Sequence, residues 1–330
     1  MNFEEFCSYV KESIYEYLPE NHRDYRIVMH DVNKTNIGKL RALTMILPER
    51  NAGPTQYMEP FFEAYQKGIP LEEILAVIAE RQIKNERVDP GFTEDEIDMI
   101  SDFYSVKDRI MICAVGCEKN REMLEHVPHK VMGDIAATYR VYIGKGEEME
   151  MSCLIDNRLM KHYGVTAGRL HNLALNNSMK AMPAQILGLN AMIEEFAEDG
   201  EKAELPDVGM MVVTNKQRCH GAAVAFYPDI FEMAGIPMEQ FYIAPSSVHE
   251  LMLLPKSMMS LDGANEMIKE INESCVDMHE VLSDLVHEYD PVSRQLVIGG
   301  TLLQRNREME EREAGTHDVL PAMNAPAWCM

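Results

Sequence analysis

Within Glu147 to Ile155, Met149, Met151, Cys153 and Ile155 alternate against Glu148, Glu150 and Ser152, and the segment follows the apolar run Ile135 to Ile143 across Gly144, Lys145 and Gly146. Successive side chains of a strand point to opposite faces, so this pattern specifies an antiparallel hairpin with one face buried and one face wet. A chain containing it is neither all-helical nor a regularly wound parallel sheet.

The surrounding segments extend that reading. Phe3, Phe6, Val10, Ile14, Tyr17 and Leu18 recur at helical spacing before Pro19 and predict an amphipathic helix lying on a sheet. That sheet is expected to begin with Tyr25 to Val32 and Leu40 to Leu47, joined by the loop residues Asn33 to Asn36 and Gly38. Helices are expected over Gln56 to Lys67, after Pro70, and after a Thr93/Glu96 capping box. Arg109 to Val115 reads as a buried strand and Cys117 to Leu124 as a short helix. Asp156 and Thr166 are expected N-caps, and Leu189 to Phe196 continues as a helix.

Further strands are predicted at Met210 to Thr214, Ala222 to Phe226, Phe241 to Ala244 and Leu251 to Leu254, then a helix between Asp262 and Ser274 and a last hairpin around Asp290 to Val292. Hairpins and helix pairs alternate irregularly. The expected class is therefore α+β, with antiparallel or mixed sheets built from hairpins and amphipathic helices packed on them. Residues 1–304 read as one domain, divisible at about residue 125 into two interlocked lobes, and residues 305–330 read as a charged, then flexible tail containing the single Trp328.

A net charge of −23 opposes binding to a phosphate backbone, whose affinity comes largely from Lys and Arg. The carboxylates are interleaved with Lys and Arg, as on solvated helix faces; an acidic nucleic-acid mimic is the lowest-ranked expectation. No apolar run is long enough to span a bilayer and the N-terminus lacks secretory patterning, so we expect a cytoplasmic protein without a membrane partner. Seven cysteines without a CxxC pair are expected as reduced thiols, and Cys113 and Cys117 lack the further ligands of a zinc site. Neither GxGxxG nor GxxxxGK occurs, and no cofactor or metal is expected.

Three polar stretches could carry chemistry. In FYIAPSSVHELMLLP, Ser246, Ser247, His249 and Glu250 lie between two strand-like runs; nucleophile, base and acid are all present. On a strand, however, His249 and Glu250 face opposite sides, and no GxSxG elbow surrounds the serines. A turn whose hydroxyls satisfy backbone groups explains them more simply. His129 and Asp134 form the second set, across a proline break rather than in a helical HExxH. The third is TNKQRCHGAAVAFYP, with Asn215 and His220 before Gly221, a position suited to close backbone approach. Asn177, near a helix end, completes the ligand-binding candidates.

The blocks GPTQYMEPFFEAYQKG, NREMLEHVPHKVMGDIA, LALNNSMKAMP, VVTNKQRCHGAAVAFYP and FYIAPSSVHELMLLP occur in this order up to about Gly300. With them the chain resembles an uncharacterised Clostridial family catalogued as a domain of unknown function (5688 type). The resemblance implies a single family-length domain and carries no activity. It also leads us to expect an aromatic residue at position 220 and Leu-Asp at 133–134, where His220 and Gly133-Asp134 stand.

The leading expectation is a binding protein for a protein partner or small ligand. The alternative is a hydrolase or transferase in which Ser247, His249, Glu250, His129 and Asp134 converge in one cleft.

Overall fold

The computed structural model describes residues 1–46, 48, 53–88, 94–145, 150–196, 208–233, 235–245 and 247–308. Its architecture is α+β, with every strand pairing antiparallel.

The N-terminal helix Phe3–Ser13 opens with a capping box: the Asn2 side chain accepts from the Glu5 backbone N–H, and the Glu5 carboxylate accepts from that of Asn2. Its apolar face packs Phe6, Cys7 and Val10 on a three-stranded sheet of β1 (Arg26–Lys34), β2 (Gly38–Ile46) and β3 (Thr55–Tyr57). Helices Glu59–Gln66 and Leu71–Val88 close this core with Phe61, Ile74, Leu75 and Ile78. Gln56 belongs to β3 rather than to the helix expected there. Its buried side-chain amide donates to the Ile78 carbonyl, a bond that fixes the strand against the helix.

The second sheet is organised by β6 (Ile135–Lys145). It pairs along one edge with β4 (Ile110–Gly116), and along the other with β5 (Lys130–Met132) and then β7 (Glu150–Leu154). This is the hairpin anticipated from the alternation, and its two faces have different fates. Ile135, Ala137, Tyr139, Val141 and Ile143 enter the main core with Ile110 and Ile112 of β4. Ala136 and Val115 face the other way, where Met123, Leu124 and Val127 cover them; Thr138, Arg140, Ser152 and Leu154 share this outer side and border a cavity.

The third sheet has the order β13-β12-β10-β11-β9-β8, from β8 (Ala184–Gly188), β9 (Met211–Asn215), β10 (Phe241–Ala244), β11 (Leu251–Pro255), β12 (His287–Asp290) and β13 (Gln295–Ile298). Val213, Ile243, Leu251, Leu253 and Leu296 join the main core, and Ala264 and Ile268 of helix Leu261–Ser274 cover Ala244 and Leu254. Helix Ala167–Ala181 packs on β4 and β6.

Two further expectations are corrected. Gly221–Phe226 is a 3-10 helix, not a strand; all six residues are buried against β4, β9 and β11. A small-residue segment buried on every side carries no periodicity that distinguishes helix from strand. Residues 301–308 are helical, and Arg305 makes a bidentate pair with Asp290 at 2.8 and 3.0 Å, so the first part of the expected tail is docked. Residues 309–330, Thr93 and residues 146–149 lie outside the described residues.

Candidate functional site

The β1–β2 loop reaches from the N-terminal sheet to the rest of the chain. Asn36, left-handed at φ 62°, is buried at its tip. Its backbone N–H donates to Asn120 Oδ1 at 2.8 Å, Asn120 Nδ2 donates back to Asn36 Oδ1 at 2.6 Å, and Asn36 Nδ2 donates to the carbonyls of His279 and Val281. Both amides are thereby used up in fastening the loop, and neighbouring Thr35 is held over the outer face of the second sheet.

Between them lies a cleft of about 340 Å³. Its floor is Ala114, Val115, Met123 and Leu154, and its polar rim includes Thr35, Arg140, Ser152, His220, His249 and Glu280. Arg140 is half-buried: Nε donates to Ser152 Oγ at 2.9 Å and Nη2 to the Ser152 carbonyl at 3.2 Å. No carboxylate among the described residues pairs with this guanidinium.

The opposite rim is set by residues 215–221. Arg218 and His220 both adopt left-handed φ values, 54° and 50°, which cost non-glycine residues on the order of 1 kcal/mol or more each. A Cβ on Gly221 would lie 2.0 Å from Thr214 Oγ1 and 2.2 Å from the His249 carbonyl, so only glycine fits there. The Asn215 side chain is buried and donates to the Cys219 carbonyl, which holds the loop from within.

This packing fixes His249. Its Nδ1 accepts the His220 backbone N–H at 3.3 Å, which assigns the ring proton to Nε2, 3.1 Å from Glu280 Oε1. His220 stacks on it with ring centroids 5.8 Å apart. His249 and Glu280 also border a second cavity of about 400 Å³, with Ser247, Glu250, Arg218 and Cys275. Ser247 Oγ accepts the His249 backbone N–H at 2.9 Å, the serine turn anticipated for this stretch. Burial raises the Glu250 carboxyl above its usual range, and a Ser247 hydrogen bond partly offsets this.

His129 and Asp134 line a different cavity, of about 550 Å³, with Cys117 and Arg121. Asp134 binds inward: Oδ2 accepts from Ser283 Oγ at 2.6 Å, and Oδ1 stands 2.9 Å from Nε2 of the fully buried His287. His129 Nδ1 stands 3.0 Å from the Val127 carbonyl. Burial and the charge of Asp134 push the Cys117 thiol up to about 11, leaving it protonated at neutral pH. Asn177 donates to the carbonyls of Lys107 and Ile110, clasping the start of β4.

Thus Ser247, His249 and Glu250 share one cavity, His220 joins His249 in the cleft, and His129 and Asp134 stand in another cavity. Ser246 lies outside the described residues. Among the described residues no three His, Cys, Asp or Glu side chains could hold a metal ion, and no helix is long and apolar enough to cross a membrane. Sequence reasoning missed Arg140, Ser152 and Glu280. Arg140 was detectable as the charged residue on the face of β6 opposite Tyr139 and Val141; Glu280 carries no such signal.

The model of a family of unknown function (DUF5688) matches residues 3–291. The chain belongs to this family. No curated protein and no solved structure matches it. The match takes in all of the cleft and stops just after Asp290, before β13 and helical residues 301–308.

Proposed function

We propose that this DUF5688 member is a binding protein that holds a small ligand in the cleft between the β1–β2 loop and the second sheet. The observation that carries the reading is convergence: segments near residues 35, 114, 140, 152, 220, 249 and 280 bring polar groups together over an apolar floor in a cavity of ligand size.

Binding is favoured over turnover by how the reactive groups are engaged. A histidine acting as general base needs one ring nitrogen free while a carboxylate orients the other. In His249 the second nitrogen already accepts a backbone N–H. The Ser247 hydroxyl is committed to its own turn and to Glu250.

A small-molecule library screened by thermal shift tests this reading. We expect one chemical class to stabilise the wild type saturably, and Thr35→Trp, which fills the mouth of the cleft from a loop, to abolish that shift. Turnover that His249→Gln eliminates without unfolding the protein would contradict it.

A further inference from the structure

We infer that the ligand of this cleft is a small organic anion whose planar carboxylate docks on Arg140 and whose short apolar body lies on Val115, Leu154 and Val248. This deepens the binding reading and rests on it.

A guanidinium offers two edges for paired hydrogen bonds, one from Nε with a terminal nitrogen and one from the two terminal nitrogens. Ser152 occupies the first through its hydroxyl and carbonyl. Both of those partners are neutral, so they orient the group and leave its charge uncompensated. The second edge has no protein acceptor among the described residues. That edge matches a carboxylate bidentately, in the geometry that makes charge-assisted pairs strong.

The surroundings narrow the class. Val115, Leu154 and Val248 border the same cavity, and of these Leu154 is only partly buried, so an apolar body placed over it removes further apolar surface from water. At about 340 Å³ the space suits a compact molecule. The charged and titratable groups facing it are Cys113, Arg140, His220, His249, His279 and Glu280. Glu280 is the one carboxylate on this rim, and its contact with His249 Nε2 draws it to the histidine side.

Calorimetric titration with hexanoate, hexanamide, acetate and inorganic phosphate tests the assignment on wild type, Arg140→Lys, Glu280→Gln and Leu154→Asn. Hexanoate is expected to bind at least tenfold more tightly than hexanamide, and Arg140→Lys to remove most of that preference. Glu280→Gln, which keeps an acceptor for His249 but removes a like charge, should tighten hexanoate by roughly threefold or more. Leu154→Asn should erase the advantage of hexanoate over acetate. Equal binding of hexanoate and hexanamide, or unchanged preference in Arg140→Lys, would overturn the anion assignment while leaving the cleft reading intact. Phosphate binding as tightly as hexanoate would overturn the apolar part. If no library compound binds and Thr35→Trp is silent, the cleft reading itself fails.

Discussion

Two histidine–carboxylate pairs in this protein have nearly equal lengths, 2.9 Å for His287 with Asp134 and 3.1 Å for His249 with Glu280, yet they serve opposite ends. His287 is 0% exposed and joins the turn before β6 to β12; Ser283 completes its network. The His249 and Glu280 side chains are 28% and 44% exposed and border two cavities. Distance alone therefore does not mark a site. What separates the clamp from the rim is the histidine: Asp134 is 27% exposed and borders a cavity of its own, but the His287 ring is out of reach of solvent, whereas the His249 ring is not.

The largest expected effect comes from breaking the clamp. Asp134→Ala takes the carboxylate from both the buried His287 ring and the Ser283 hydroxyl and should cost about 2 to 4 kcal/mol, measured by denaturant unfolding. His249→Gln, by contrast, should cost at most about 1 kcal/mol, because a half-exposed pair is largely screened. Comparable losses for the two would erase the distinction.

Gly221→Ala comes next, at about 1 to 3 kcal/mol, since the new methyl meets the His249 carbonyl and Thr214. Because Gly221 buttresses the rim, its residual folded fraction should also lose ligand, which Gly188→Ala, with open space at its Cβ, should not.

Asp290→Asn should destabilise by about 1 to 3 kcal/mol, discounted for the half-exposed Arg305 partner. The Arg305 guanidinium holds the Asp290 carboxyl well below the usual carboxylate range. A depressed folded pKa contributes stability above the unfolded value, about pH 4, and loses it progressively as pH falls below that. Acid titration of the unfolding free energy should therefore show a flatter acid limb in Asp290→Asn than in wild type.

Glu250→Gln carries the smallest expected change and the opposite sign. Its raised pKa reflects a burial penalty on the ionised form: stability held below the unfolded pKa is lost as pH rises through the folded pKa, so the neutral amide should match or slightly exceed wild-type stability at pH 7. A clear loss would show that the ionised carboxylate stabilises the fold through its Ser247 and His249 neighbours and would contradict this sign.

The fold was legible where one face of an element is wet. Alternation located β6 and β7, and helical spacing located Phe3–Ser13 and Leu261–Ser274. It failed where burial is complete or the element is short: Gly221–Phe226 has no polar side to break its symmetry, and β3 spans only Thr55–Tyr57. Of the site, His220 and His249 stood out as polar residues between apolar runs. Arg140 stood out only as a charge on one face of β6, and Ser152 and Glu280 did not, because a cleft whose lining is scattered from Thr35 to Glu280 leaves no local spacing to read. The Asn36 pin shows the same: its partners, Asn120 and the carbonyls of His279 and Val281, are fixed by tertiary packing alone.

The central claim is that the His249 side of the molecule meets the ligand and the His287 side does not. Titrating hexanoate while following the histidine imidazole NMR signals tests it directly. The account predicts saturable shifts for His249 and His220, with His287 and His129 unmoved; shifts confined to His129 and His287 would contradict it.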